Sequence, residues 1–201
     1  MLSKLLLGTR NSGKARELRK LLEGAPVELL TLDMVGITAE VEETAGSIAG
    51  NAALKAKTYA ALSGLPTLAD DSGLEVDALG GEPGVLSARY AGPDASDQER
   101  VRYLLSKLEG ITWNKRGARF RSVIALAEPS GQVHLFEGTC EGVIALEPVG
   151  TDGFGYDPIF YIPALEKHMA ELTLEEKNLI SHRGRAARKV VAYLEGVPRS
   201  G

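Results

Sequence analysis

Residues 68–92 read LADDSGLEVDALGGEPGVLSARYAG. An apolar run, Leu65 to Ala69, leads into two adjacent carboxylates, Asp70 and Asp71, followed by Ser72 and Gly73. A strand that ends in Asp-Asp-Ser-Gly puts charge at the mouth of a sheet, where open α/β proteins place their ligands. Neighbouring aspartates repel, and burying even one is costly unless a cation or hydrogen bonds compensate. Oxygen-rich sites of this kind suit Mg²⁺ or Mn²⁺. Taken alone, the doublet reads as a solvated turn, with Asp-Ser-Gly as turn formers. The residues after it alter that reading. Gly80-Gly81-Glu82-Pro83-Gly84 packs three glycines and a proline into five residues. Such density suits a backbone that bends sharply or approaches a ligand closely. Ser87-Ala88-Arg89-Tyr90 then sets a cation beside an aromatic. Together these features describe a site for a metal-bound anion.

Outward from this stretch, the 201 residues suffice for one domain, 1–201, with a real core. The net charge of −4 argues against a broad nucleic-acid surface, which is ordinarily basic, but leaves room for a small anion. Cys140 is the single cysteine, which excludes an internal disulfide and a cysteine-rich zinc site. The opening MLSKLLLGTRN has too short an apolar run for a signal peptide. No stretch approaches the ~20 apolar residues of a transmembrane helix. The expectation is a cytoplasmic protein without a membrane or nucleic-acid partner.

Leu2 to Leu7 reads as a buried strand. Gly8-Thr9-Arg10-Asn11-Ser12-Gly13-Lys14 comes next, then a helix with Ala15, Leu18, Leu21 and Leu22 at helical spacing. Arg16, Glu17, Arg19 and Lys20 fall between them, and Asn11 or Ser12 would cap the helix. Gly8 to Lys14 matches the first seven positions of a Walker A loop, but the eighth, Ala15, has no oxygen for Mg²⁺. The loop remains a phosphate cradle at a helix N-terminus, or an ordinary capped turn with a surface lysine. Val27 to Leu32 is a second strand, and Glu40, Glu42 and Glu43 form an acidic cluster. Ser47 to Leu62 is an Ala-rich helix that puts Asn51 and Lys55 on one face. Ser96 to Leu108 is a helix opened by a Ser96–Glu99 capping box. Arg119–Ala127 and Gln132–Thr139, joined by Pro129-Ser130-Gly131, signal a β-hairpin, with His134 as a strand-surface residue. Parallel-type βα units early and a hairpin late imply an α/β fold with a mixed sheet. Gly153-Phe154-Gly155-Tyr156-Asp157-Pro158 can offer a ring for base stacking, but taken by itself it reads as a tight loop with a core Phe. A Thr173–Glu176 capping box opens a helix that leads to His182-Arg183-Gly184, two donors at a helix junction.

In this order, Thr9 to Lys14, Asn51-Ala52 with Lys55-Ala56, Ala69 to Leu74, Leu79 to Gly84, Ser87 to Tyr90, Gly153 to Pro158 and Ser181 to Gly184 resemble the inosine/xanthosine triphosphate pyrophosphatases. The resemblance to this HAM1-like family runs from Leu5 to about Leu194. It implies a central mixed sheet with flanking helices and two lobes around a substrate cleft. It implies a homodimer that hydrolyses ITP, dITP and XTP to the monophosphate and pyrophosphate with Mg²⁺, or Mn²⁺ in its place. On that resemblance Thr9, Arg10, Asn11, Ser12, Gly13, Lys14 and Lys55 hold the triphosphate. Asp71 is general base and metal ligand, Glu42 the second ligand, with Glu43 competing for that place. Ser72 touches the substrate. Phe154, Gly155, Tyr156, Asp157, Lys177, His182 and Arg183 form the base pocket. Two departures stand out: the family often has an acidic residue where this chain has Gly50, and Phe where it has Ile48.

This chemistry is consistent with the residues. Water attacking the α-phosphorus expels pyrophosphate, so lysines placed on the β side stabilise the transition state more than the ground state. Donors such as His182 and Arg183 suit a 6-oxo purine better than an adenine amine. Two other readings stay open: a P-loop ATPase or kinase, and a nucleotide sensor that has lost its metal site, to which Gly50 would point.

Overall fold

Alternation along the first strand sets out the layers of the chain. In the computed structural model, which describes residues 3–196, β1 is Lys4–Leu7. Leu2, the first residue of the expected strand, lies outside the described residues. Leu5 and Leu7 pack in one apolar cluster and Leu6 in another, as a period of two requires of a strand covered on both faces. The first cluster adds Leu18 of helix α1 (Ser12–Leu21), its C-cap Leu22, and Ala186, Ala187 and Val190 of helix α5 (His182–Leu194). The second adds Leu30 of β2 (Glu28–Thr31) and Tyr59 of α2 (Ile48–Ser63).

The other strands and α-helices of the described residues are β3 (Thr67–Val76), α3 (Asp97–Lys107), β4 (Gly117–Ala127), β5 (Val133–Ile144), β6 (Phe160–Ile162), β7 (Lys167–His168) and α4 (Leu174–Ile180). The seven strands form one sheet in the order β2-β1-β3-β4-β5-β6-β7. β1 pairs in parallel with β2 and β3, while β6 pairs antiparallel with β5 and β7, so the sheet is mixed as expected. The capping boxes of Ser96–Glu99 and Thr173–Glu176 both form. Asn11 caps α1 and Ser47 caps α2.

The chain divides into two compact units. Of the described residues, unit 1 comprises those up to Asp71, Ser122–Gly138 and those from Arg183 on, and unit 2 comprises Ser72–Arg121 and Thr139–His182. Unit 1 holds both clusters described above. Unit 2 has its own core, in which Leu74, Val76, Leu104, Leu108, Phe120 and Phe160 are buried.

One strand departs from expectation. β3 does not end at Asp70-Asp71 but runs on through both to Val76, and both carboxylates are buried. Regular strand structure keeps the backbone groups paired, and cations from the flanking helices meet the two charges, so the strand tolerates them.

Candidate active site

The alternation that sorts Leu5 and Leu7 from Leu6 also sorts the two aspartates. Leu68 lies in the α1–α5 cluster, so Asp70, two residues on, points to that face and Asp71 to the face covered by α2. The contacts follow this division. Lys14 Nζ of α1 lies 3.2 Å from Asp70 Oδ2, and Arg183 Nε of α5 donates to the same oxygen at 3.0 Å. On the other face Asn51 Nδ2 donates to Asp71 Oδ2 at 3.2 Å, and Lys55 Nζ donates to Asp71 Oδ1 at 3.4 Å. The spacing of four between Asn51 and Lys55 brings both to one carboxylate.

The two carboxyls differ in their electrostatics. Burial pushes Asp70 up, but Lys14, Arg183 and Lys55 outweigh it and hold its pKa well below the usual carboxylate range. Burial also pushes Asp71 up, and there the charges of Glu43 and Asp70 add to it. Lys55 and Lys14 offset this only in part, so the Asp71 pKa is raised. A carboxylate with a raised proton affinity is the better proton acceptor of the pair. Burial lowers the Lys14 pKa, with Asp70 opposing and Lys55 and Arg183 adding to the effect. For Lys55, burial is overcome by Asp71, Asp70 and Glu43, and its pKa rises.

Lys55 Nζ also donates to Glu43 Oε1 at 2.6 Å. One cation thus stands between the carboxylates of Glu43 and Asp71. Two converging carboxylates on a cation form the kind of partial donor set with which proteins hold Mg²⁺, the substrate phosphates and water completing the shell. Asp71 and Glu43 thus offer two oxygen ligands to a divalent metal, and among the described residues no group of three or more His, Cys, Asp or Glu is placed to hold one. Of the two glutamates in competition on sequence grounds, Glu43 is the one beside Lys55, whereas Glu42 is exposed. Gly50 receives a packing explanation. A Cβ there would lie 2.7 Å from Ala45 Cβ and 2.9 Å from Ser47 Oγ, so the 45–47 segment closes over the place a side chain would need. The same segment is tied down by Ala45 N, which donates to Asn51 Oδ1 at 3.0 Å.

The loop before α1 is ordered by its own side chains. Asn11 Oδ1 accepts from Lys14 N at 3.0 Å, and Thr9 Oγ1 accepts from Asn11 N at 3.2 Å. Ser12 and Gly13 form the first residues of the helix. Arg10 turns aside to donate to Ile37 O at 2.6 Å, with Asp33 at 3.8 Å.

Unit 2 builds the second group of expected residues around the loop 153–157. Asp157 Oδ2 accepts from Phe154 N at 2.9 Å and from Lys177 Nζ at 2.5 Å. Lys177 Nζ also stands 4.9 Å from the centre of the Phe154 ring, a cation–π contact. The ring is half-buried rather than a core phenylalanine. Gly153 has φ +80°, and a Cβ there would collide with the Asp157 carboxylate, so both its conformation and its lack of a side chain are needed. Tyr156 donates to Ser87 O at 2.9 Å, and Gly155 N donates to Asp97 Oδ2 at 2.7 Å. His182 is buried and stacks on Phe120 with ring centres 4.8 Å apart. Ser72 is partly exposed on β3.

Two residues look different in the structure. Arg183 is 1% exposed, and its guanidinium is turned to Asp70 and to Glu17 Oε2, the latter at 2.5 Å. Glu17, placed by its spacing among the polar residues of α1, is itself buried. Asp97 carries no signal in the sequence beyond its place in a capped helix. The one sequence signal for Glu17 is its position three residues after Lys14, one turn along α1.

The profile of the Ham1 family matches residues 5–193. A protein of Desulforamulus reducens named dITP/XTP pyrophosphatase is 50% identical over 192 residues, covering 95% of each chain. One of the same name from Geobacter sulfurreducens is 50% identical over 185 residues, covering 92% of this chain and 93% of the other. Among solved structures, a HAM1 protein from Coxiella burnetii superposes with a TM-score of 0.89 at 42% identity, covering 98% of this chain and all of that one.

Proposed function

The chain belongs to the Ham1 family, and from that premise we propose that it is a dITP/XTP pyrophosphatase, hydrolysing ITP, dITP and XTP to the monophosphate and pyrophosphate. The observation that carries this reading is the buried Asp71, with its raised pKa, in contact with Asn51 and Lys55. In this reading Asp71 accepts the proton of the water that attacks the α-phosphorus, and Asn51 keeps its carboxylate oriented. Lys14 and Lys55, with the N–H groups of Ser12 and Gly13 at the start of α1, take the charge that grows on the departing pyrophosphate. Mg²⁺, or Mn²⁺ in its place, would be held by Asp71 and a carboxylate of the Glu42–Glu43 pair, Glu43 being the nearer. When bound, it supplies acidified water and neutralises phosphate charge.

The base falls to Phe154, Lys177, Asp157 and His182 in this reading. Phe154 offers a ring face already polarised by Lys177, and Gly155, Tyr156 and Ser72 complete the contacts. Thr9 and Asn11 shape the phosphate loop. Arg10 and Arg183 act through the groups they hold. The homodimer and the cytoplasmic setting implied by the family resemblance are part of the same reading. Ion-exchange analysis of dITP, XTP, GTP and ATP, each incubated with and without Mg²⁺, tests it. Metal-dependent monophosphate plus pyrophosphate from dITP and XTP, with GTP and ATP nearly untouched, is expected. Diphosphate plus orthophosphate would overturn it.

A further inference from the structure

Arg16, Arg19 and Lys20 of α1 are not buried, as polar residues on an outer helix face should be, but Glu17 is 1% exposed. A carboxylate is rarely buried unless it is paired, because desolvation opposes it. One such partner is Arg183 Nη1, at 2.5 Å. The other side of that guanidinium, Nε, donates to Asp70 Oδ2, and Lys14 Nζ is held by the same Oδ2. Among the described residues nothing donates to Asp70 Oδ1. Glu17, Arg183, Asp70 and Lys14 thus form a chain of two anions and two cations, in which one oxygen serves both cations.

This geometry is unusual for an arginine, whose planar fork favours two parallel bonds to both oxygens of one carboxylate. Glu17 holds the far end of the guanidinium, so Arg183 meets Asp70 through Oδ2, which stays shared with Lys14, and not through the two-oxygen fork. Without the Glu17 charge, Arg183 would gain by turning onto both Asp70 oxygens, the open Oδ1 included. Swinging the carboxylate to meet that fork would draw Oδ2 from its place beside Lys14, and the ammonium would lose the fixed position that Oδ2 gives it.

We propose that Glu17 is a positioning residue for triphosphate hydrolysis: by anchoring Arg183 it leaves Asp70 to hold Lys14 in place. The proposal rests on the pyrophosphatase reading, in which Lys14 meets the triphosphate.

The test is a double-mutant cycle on dITP turnover between Glu17→Gln and Lys14→Met, with folding checked by circular dichroism. Glu17→Gln is expected to lower kcat/KM about tenfold in the parent, and less than twofold when Lys14 is already Met. Glu17→Asp, which keeps the charge, is expected to recover most of the loss. A loss that multiplies with that of Lys14→Met, or no loss in the parent, would overturn the proposal, since a merely structural role is additive. If Glu17→Gln does not fold, the same cycle is run with Glu17→Ala, which also removes the charge. If neither folds, Glu17 serves the fold itself and the positioning role is refuted. Absence of turnover in the unmutated protein would instead count against the pyrophosphatase reading. The cycle would then be read from calorimetric binding of inorganic pyrophosphate, with the same coupling expected.

Discussion

Replacing Asp157 by Asn should destabilise the chain by about 3 kcal/mol. Asp157 and Lys177 are both almost fully buried, and one oxygen of Asp157 accepts from both Lys177 Nζ and Phe154 N. An Asn carbonyl can take over both bonds without a change of shape, so what is lost is the charge. Breaking a buried pair from one side costs about 3–5 kcal/mol, because the remaining ion is left uncompensated. The retained neutral bonds put Asn at the lower end of that range. In a chain of this length such a loss lowers the melting temperature by about 6–12 °C. Asp157→Ala also strips Phe154 N of its acceptor, adding about 1–3 kcal/mol. Urea unfolding measures all of these, with an unchanged slope showing that the unfolded state is not altered. The double variant Asp157→Asn with Lys177→Met removes both charges and should regain most of the loss, less the small cation–π contribution at Phe154. A loss below about 1 kcal/mol for Asp157→Asn, or a double variant as unstable as the sum of the singles, would refute the reasoning.

Asp71→Asn should cut turnover of dITP by about 10²–10⁴-fold, the usual contribution of a general base, with little loss of stability in urea. Equal losses in both would instead mark Asp71 as structural. Gly50→Glu, which supplies the acidic residue that the resemblance leads one to expect there, should lower stability and activity together, because the 45–47 segment occupies the space needed; a gain in metal affinity without loss would contradict the packing explanation. Asp70 has a folded pKa below its unfolded value of about 3.9. Its contribution to stability is therefore complete above that value and is lost as the pH falls through the lower folded one. The stability difference between the parent and Asp70→Asn should stay constant from pH 7 to 5 and shrink below pH 4. A difference unchanged at pH 2 would show that the carboxyl is not held down.

Much of this architecture is legible in local pattern. The spacing of Leu18 and Leu22, the Asn11 cap and the two capping boxes are short-range signals, and each appears in the structure. The hairpin strands also appear, with β5 extending to Ile144. The doublet at Asp70-Asp71 reads as a strand end because nearest-neighbour reasoning sees two repelling charges. It cannot see that the pleat sends them to opposite faces, each with its own cations. Glu17 and Arg183 are hidden for a related reason. They are 166 residues apart, so nothing in the helical period of α1 distinguishes a buried, paired glutamate from a solvated one. Asp97 obeys the same rule, reaching Gly155 N from 58 residues away. Gly50 is informative as a departure, but its cause is the close approach of Ala45, which no spacing rule records.

The central claim is that water, deprotonated by Asp71, attacks the α-phosphorus. Turnover of dITP in H₂¹⁸O, with mass analysis of both products, tests it most directly. The label is predicted in the monophosphate, with pyrophosphate unlabelled. Label in pyrophosphate would mean attack at the β-phosphorus and would contradict the account.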